Sequence, residues 1–153
     1  MPGEEVSTAT EAVDLGIVDG LAQLSFLVQR VLGQVAAAHD LSIIQLRLIG
    51  VLRDREPGMQ ELARHLHLDK SSMTGLVDRA ERRGLVHRAT AAHDKRGVKV
   101  SLTAQGHELA RTLTGETSEC VQALTETLTD AQRSELSLLA SMVVRGGSGD
   151  IFF

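Results

Sequence analysis

The sequence predicts a mainly α-helical fold that carries one small β-hairpin. Apolar residues recur with helical spacing along most of the chain, and this spacing gives way to strict alternation only near residues 98–102. Hydrophobic residues make up 42% of the 153 residues and charged residues 24%, proportions typical of globular proteins. At this length we expect one compact unit, or one unit with a dimerising extension.

The composition argues against several classes of protein. No run approaches about 18 consecutive apolar residues, so no segment is expected to span a membrane. The first residues are acidic, unlike a secretory signal, which favours a cytoplasmic protein. Cys120 is the single cysteine, so no thiolate cluster can bind zinc. Its place on an apolar stripe favours a buried, inert thiol, with a redox switch as the alternative.

A long helix is expected first, over residues 13–40. Its apolar stripe includes Leu15, Val28 and Val35. About 24 helical residues at ~1.5 Å each make a rod of roughly 36 Å, longer than so small a domain can cover. We therefore predict a dimerisation helix that packs against another chain, preceded by a mobile arm over residues 1–12.

Local signals indicate where the next helices begin and end. Ser42 and Gln45 form a capping box at the start of a helix that Pro57 stops. Residues 59–66 form a second, short helix with Leu62 among its inward positions.

A third helix is predicted over residues 70–83. Asp69 is a good N-cap, and Gly84 ends the helix at the position where a left-handed backbone is usual. Its apolar positions follow the i, i+3, i+4, i+7 spacing of a buried face. These positions are Met73, Leu76, Val77 and Ala80.

A hairpin and two further helices complete the prediction. Residues 85–89 and 98–102 are the strand candidates, joined by a polar loop. Thr103 caps a helix that runs to about Leu128. Thr129 then opens the last helix with a second capping box. The predicted divisions are a winged lobe over 41–103, dimerisation helices over 104–145 and a flexible tail over 146–153.

Two short helices joined by a tight turn and followed by a hairpin describe a winged helix-turn-helix. In such a module one helix braces the second, which enters the major groove of a DNA duplex.

The distribution of charge along the chain agrees with such a module. Residues 47–99 carry twelve Lys and Arg against seven Asp and Glu, or +5, whereas the rest carry four against thirteen, or −9, within a total of −4. A basic segment in an acidic frame indicates a module that contacts phosphates; a merely solvated, arginine-rich face is the alternative.

Candidate DNA-binding residues lie on the outward face of the helix over 70–83 and in the loop of the hairpin. Small hydroxylated residues let the duplex come close, and the helix N-terminus favours phosphate. Arg79 can reach a guanine edge, whereas Arg82 and Arg83 are expected to contact the DNA backbone or solvent. A cation on the extended loop can enter a narrow minor groove, and Asp94 would shape that loop. The candidates are Lys70, Ser71, Ser72, Thr74, Gly75, Arg79, Lys95 and Arg96.

Several of these motifs occur together in one register. They are Glu61-Leu62-Ala63, the run from Ser72 to Arg79, Arg83-Gly84-Leu85-Val86, Asp94-Lys95-Arg96, the run from Val100 to Thr103, and Gly106. Over residues 41–107 the chain therefore resembles the MarR family of bacterial transcriptional regulators. It departs from that pattern at His67, where the family commonly has Gly in a turn that needs a positive φ; His tolerates this at some strain.

The resemblance implies an obligate homodimer that sits on a pseudo-palindromic operator. It also implies repression relieved by a small ligand, an aromatic, phenolic or lipophilic acid, bound where the dimerisation helices meet the winged lobe. Because aromatic residues are scarce, we expect aliphatic side chains to line that pocket.

Other chemistries find little support in the sequence. His65 and His67, at i and i+2, do not share a helix face, which favours structural histidines over a metal site. No nucleophile elbow, phosphate loop or catalytic carboxylate pair is present, so neither catalysis nor a cofactor is expected. We predict a ligand-responsive, dimeric repressor that binds double-stranded DNA through recognition helix 70–83 and wing 86–102. The alternative is a winged-helix interaction module that docks an acidic protein.

Overall fold

The computed structural model describes residues 13–90 and 97–147. These residues form six helices and a two-stranded sheet, which confirms the predicted fold class. The elements are α1 (Gly16–Ala38), α2 (Ile43–Leu52), α3 (Met59–Leu66), α4 (Lys70–Arg82), β1 (Val86–Thr90), β2 (Val98–Leu102), α5 (Ala104–Ala123) and α6 (Asp130–Gly147). The predicted N-terminal arm and the loop residues Asp94, Lys95 and Arg96 lie outside the described residues, as does the tail from residue 148.

The core lies where α2, α3, α4 and the hairpin meet, and the end of α1 and the start of α5 close it. Leu48, Leu62, Val77 and Val100 are completely buried there. The predicted inward face of α4 is confirmed, since each of its four apolar side chains is buried. Because these elements share one core, α4 is fixed with its opposite face toward solvent.

Both predicted capping boxes are present. Ser42 Oγ accepts a hydrogen bond from the N–H of Gln45 at 3.3 Å, and the Gln45 side chain accepts from the N–H of Ser42 at 2.8 Å. Thr129 and Gln132 repeat the arrangement before α6, at 3.2 and 2.9 Å. These bonds satisfy N–H groups that a helix N-terminus leaves without partners.

The turn between α3 and α4 has the geometry expected from its sequence. His67 adopts a left-handed backbone with φ 53° at the end of α3. The N–H of Leu68 then donates to the carbonyl of Ala63 at 2.9 Å. This closure satisfies a carbonyl at the helix C-terminus and turns the chain sharply into α4.

The hairpin is antiparallel and is attached to the lobe along its second strand. Its first strand begins at Val86, one residue later than predicted. Along β2, the N–H of Val100 donates to the carbonyl of Pro57 at 2.9 Å, and Lys99 forms a β-bridge with Gly58. The segment before α3 therefore supports the edge of the hairpin that would otherwise be open.

The long helices depart from the prediction at their ends. α5 stops at Ala123 and not near Leu128, because the next residues form tight turns such as the bond from Leu128 N–H to the Thr125 carbonyl at 3.0 Å. α6 continues through Gly147, so residues 146 and 147, which were predicted to belong to a flexible tail, are helical. The prediction for Cys120 was wrong: the thiol is exposed, because α5 buries side chains against the lobe only in its first half.

Both ends of the described chain expose apolar side chains. α6 has no buried residue, and most of the N-terminal half of α1 is exposed. By length and composition α1 could also cross a membrane, although no long uninterrupted apolar run occurs. Its last turns enter the core through Val31, Leu32, Val35 and Ala36. This packing accounts for the apolar character of that end of the helix.

Gly106 sits where α5 passes closest to the start of β1. A Cβ at this position would collide with the carbonyl oxygen of Leu85 and approach Leu102 Cβ to 3.2 Å. The same turn is fixed by Thr103, whose Oγ1 caps α5 by accepting from the N–H of Gly106 at 3.0 Å. Glycine is therefore required for α5 to leave the hairpin at this angle.

Replacing Gly106 with Ala should lower the free energy of unfolding by about 3 kcal/mol or more, since backbone must shift to admit the methyl group. Gly115→Ala is the matched control on the same helix, because a Cβ there meets no atom within 4 Å. The control should stabilise the protein by roughly 0.5 to 1 kcal/mol. Urea unfolding measures both, and equal stability of the two variants would contradict the close approach.

Candidate nucleic-acid interface

The predicted residues on α4 share one solvent-facing surface. Asp69 caps the helix by accepting from the N–H of Ser72 at 2.8 Å. Beyond this cap, three consecutive residues are exposed and two further along are half-buried. These are Lys70, Ser71 and Ser72, followed by Thr74 and Gly75. A shallow groove runs along the surface, so a duplex could approach the helix backbone directly.

The cap influences the electrostatics of this helix start. Hydrogen bonds from the backbone and the hydroxyl of Ser72 hold the pKa of Asp69 below its usual range. The carboxylate therefore stays ionised and already satisfies part of the helix N-terminus. The hydroxyl of Thr74 donates to the Lys70 carbonyl at 2.9 Å. The ammonium of Lys70 and the hydroxyl of Ser71 are the side-chain groups at this end that take no part in the cap.

Arg79 lies one turn beyond Gly75 on the same surface, and the position of its side chain depends on the absence of a Cβ at Gly75. The Arg79 side chain is exposed, and a Cβ at Gly75 would lie 3.3 Å from its Nη1. Glycine in a helix interior costs roughly 1 kcal/mol relative to alanine. Here it gives the guanidinium room to extend along the helix, toward the position where a base edge would lie.

The structure gives Arg83 partners within the protein that the sequence did not indicate, although the residue is exposed. Its guanidinium donates to the carbonyls of Asp40 at 2.7 Å and His39 at 3.3 Å. The ring of His39 is in turn 2.8 Å from a carboxylate oxygen of Glu116 on α5. Arg83 therefore ties the end of α4 to the corner between α1 and α2. Arg82 is exposed, and its Nε lies 3.4 Å from the Asp78 carbonyl.

A second groove contains cations that sequence reasoning missed. It has a volume of about 440 Å³ and lies between α3, the start of α4 and β2. Arg64, Lys70 and Lys99 line it, one from each of these elements. Among the described residues, none of these three cations has an ion-pair partner. The basic segment includes Arg64 and Lys99, but no motif distinguishes them from its other cations, since only the folded lobe brings them together.

An apolar cavity separates the long helices from the winged lobe. It has a volume of about 340 Å³ and lies between α1, α2 and α5. Aliphatic side chains line most of it, and the cation at its edge is Arg53, whose Nη1 donates to Thr114 Oγ1 at 3.3 Å. The lining includes Leu32, Leu46, Ile49, Leu113 and Val121.

The histidines of the described segments do not assemble into a metal site. No group of three or more His, Cys, Asp or Glu side chains converges within residues 13–90 and 97–147. His65 is nearly buried and lies 3.6 Å from the carboxylate of Glu61, one turn earlier on α3. His87 shares a 3.0 Å hydrogen bond with the hydroxyl of Ser101 across the hairpin. These contacts are structural.

Known proteins are similar to this chain in sequence and in fold. A family model described as the MarR family matches residues 39–97. The HTH-type transcriptional regulator PecS of Dickeya dadantii (strain 3937) is 24% identical over 131 residues, covering 83% of this chain and 79% of that protein. The homoprotocatechuate degradative operon repressor of Escherichia coli is 28% identical over 117 residues, covering 74% and 78%.

A solved structure extends the likeness to almost the whole chain. The crystal structure of NadR in complex with 4-hydroxyphenylacetate superposes with a TM-score of 0.71 at 26% identity, over 95% of this chain and 96% of that one. The likeness therefore includes the long helices α1, α5 and α6, which lie outside the residues that the family model matches. Residues 39–97 of this chain therefore match the MarR family, and most of the chain is similar in sequence and fold to winged helix-turn-helix transcriptional regulators.

Proposed function

We propose that this protein is a cytoplasmic, dimeric repressor that binds a pseudo-palindromic DNA operator and releases it when a small acid binds. Catalysis has no part in this function. The observation that supports it most is the solvent-facing surface of α4, which carries Arg79 and lies beside a groove whose cations have no acidic partner within residues 13–90 and 97–147. A helix held by its apolar face, with its polar face free, is what reading of the major groove requires.

The two surfaces would have different roles on the duplex. α4 would enter the major groove, where Arg79 bonds to a guanine edge and Ser71, Thr74 and Gly75 allow close approach. Arg64 and Lys99 would contact phosphates beside the groove, together with Lys70. In the loop of the hairpin, Lys95 and Arg96 would enter the adjacent minor groove.

Selection of duplexes from a random-sequence pool by the purified protein tests this function. We expect one pseudo-palindromic sequence to be enriched, and its affinity to fall steeply as salt rises. Binding without sequence preference at moderate salt would instead favour the alternative, a winged-helix module that docks an acidic protein.

Arg79→Ala and Lys99→Ala should weaken operator binding in distinguishable ways. Loss of Arg79 should cost about 1 to 3 kcal/mol and relax the preference at particular base pairs. Loss of Lys99 should weaken all sequences equally and reduce the slope of log K against log salt by about one. Titrations of the operator and its single-base variants at several salt concentrations measure both effects. Identical behaviour of the two variants would contradict the assignment of roles.

The exposed apolar faces of α1 and α6 support a homodimer. Leu139 and Val143 on α6 are 51% and 59% exposed in the single chain, which is unusual for large aliphatic residues in one cluster. A second copy could cover these faces through two-fold symmetry, and would then hold two α4 helices in a fixed relation. That arrangement matches the symmetry of a pseudo-palindromic operator.

Replacing both Leu139 and Val143 with Glu should convert the dimer to monomer or unfold it. Burial of each side chain contributes about 1.5 to 3 kcal/mol, and a symmetric dimer loses four of them. Arg111→Glu on the exposed face of α5 changes the net charge by the same −2 and should leave the dimer intact. Sedimentation equilibrium decides: an unchanged dimer in the double variant would place the interface elsewhere.

We place the effector in the cavity between α1, α2 and α5. Its aliphatic walls suit an aromatic or lipophilic body. Arg53, which pairs with Asp54 at 2.7 Å, could exchange that partner for the carboxylate of the ligand. Gly50 lines the same cavity, and a Cβ there meets no atom within 4 Å. A larger side chain at this position would fill the space without crowding the backbone.

Gly50→Leu should therefore abolish the ligand response and leave operator binding intact. Small aromatic acids, 4-hydroxyphenylacetate among them, should raise the melting temperature of the wild type and release the operator. Gly115→Leu, on α5 outside the cavity lining, is the control and should respond as the wild type does. A full response in Gly50→Leu would show that the acid binds elsewhere.

A further inference from the structure

Arg88 connects the hairpin to α4 through two carboxylates. It lies in the middle of β1, and its Nη2 pairs with Asp78 Oδ1 and, at 2.8 Å, with Glu81 Oε2. Its Nε donates to the same Glu81 oxygen at 3.3 Å. Asp78 and Glu81 are spaced i, i+3 on α4, so both carboxylates can reach one guanidinium.

The strand alternation explains why Arg88 reaches α4. It follows Val86 by two residues, so the two side chains share a face of the strand. Val86 is buried, and Val100, the residue paired with Arg88 across the hairpin, is completely buried. Arg88 therefore projects over the core toward α4, and its side chain is only 28% exposed.

The charges of this cluster are mutually stabilised. Hydrogen bonding to Arg88 holds the pKa of Glu81 below its usual range, and the carboxylates of Glu81 and then Asp78 raise the pKa of Arg88. Glu81 and Arg88 consequently remain ionised at neutral pH. Arg88 differs in this from Arg64 and Lys99, which have no acidic partner among the residues described.

The ion pairs complete a two-sided attachment of the hairpin. On one side, β2 is held by the hydrogen bond from Val100 to Pro57 and by the bridge from Lys99 to Gly58. On the other side, the polar link between β1 and α4 is Arg88 with its two acids. Backbone bonds thus attach the hairpin to the segment before α3, and side-chain bonds attach it to α4.

We propose that Arg88 is a positioning residue for DNA binding: through Asp78 and Glu81 it sets the angle between the wing and the recognition helix. This inference rests on the proposed function. Both elements must reach one duplex at once, one in the major groove and one in the minor groove, so a change in their relative angle costs affinity. In this role Arg88 acts through α4 and not through a phosphate, because its Nε and Nη2 donors are bonded to the two acids.

A charge swap separates positioning from direct contact. Arg88→Glu places a third carboxylate in the cluster and should weaken operator binding about tenfold or more, a change of ~1.4 kcal/mol. Glu81→Arg alone leaves two cations facing each other and should also weaken binding. The double variant R88E/E81R restores an opposite-charge pair at unchanged net charge, and its Kd should return to within about threefold of the wild type.

Two further measurements distinguish a positioning role of Arg88 from a direct contact with DNA. Amide hydrogen exchange of the hairpin without DNA should quicken in each single variant and recover in the double variant. Arg88→Met, which keeps the aliphatic stem, covers the case in which Arg88→Glu does not fold. It should weaken binding about fivefold with an unchanged salt slope, whereas loss of a phosphate contact would lower that slope by about one.

The proposal is overturned if the double variant binds no better than Arg88→Glu, if Arg88→Met lowers the salt slope, or if hairpin exchange is the same in all variants. Failure of the regulator function itself has a different signature. The wild type would then select no operator, while the exchange data would still report whether Arg88 holds the hairpin against α4.

Discussion

Burial of the apolar face of α4 is the constraint on which the rest of this structure depends. Met73, Leu76 and Val77 lie in a core built by α2, α3 and the hairpin. Because one face of the helix is committed to this core, the opposite face is held toward solvent with a defined orientation. The Asp69 cap and the left-handed turn at His67 then decide where the helix begins. The orientation of the polar face of α4 therefore follows from the packing of its apolar face.

Five cations of the winged lobe fall into two groups, those bonded to other parts of the protein and those that line a groove. Arg83 and Arg88 are used inside the protein, one on backbone carbonyls and the other on two carboxylates, and each joins α4 to a different neighbour. Arg64, Lys70 and Lys99 have no acidic partner in the described segments and line a common groove. The positive charge that a polyanion would meet is therefore smaller than the count of Lys and Arg suggests, and three of its cations share one groove.

In a single chain the long helices α1 and α6 leave many apolar side chains exposed. α6 buries nothing, and α1 joins the core only over its last turns. Where α1 and α5 cross α2 they leave an aliphatic cavity with Arg53 at its edge. In the proposed function a second chain would cover these apolar faces, and a ligand in the space beside the winged lobe would alter DNA affinity. That link would operate through the relative position of two lobes, as in other two-state regulators.

By itself the sequence determined the local structure of this protein: the two capping boxes, the buried face of α4 and the cap at Asp69. Each depends on residues within a turn or two of one another, so spacing reveals it. The positive φ at His67 was expected from the resemblance to the MarR family, which commonly has Gly at that position. Only the tertiary structure decided which arginines are free, that Cys120 is exposed, and that Arg64 and Lys99 share a groove with Lys70. Those properties arise from contacts between residues far apart in the chain, such as Arg83 with Asp40, and no periodicity in a single segment encodes them.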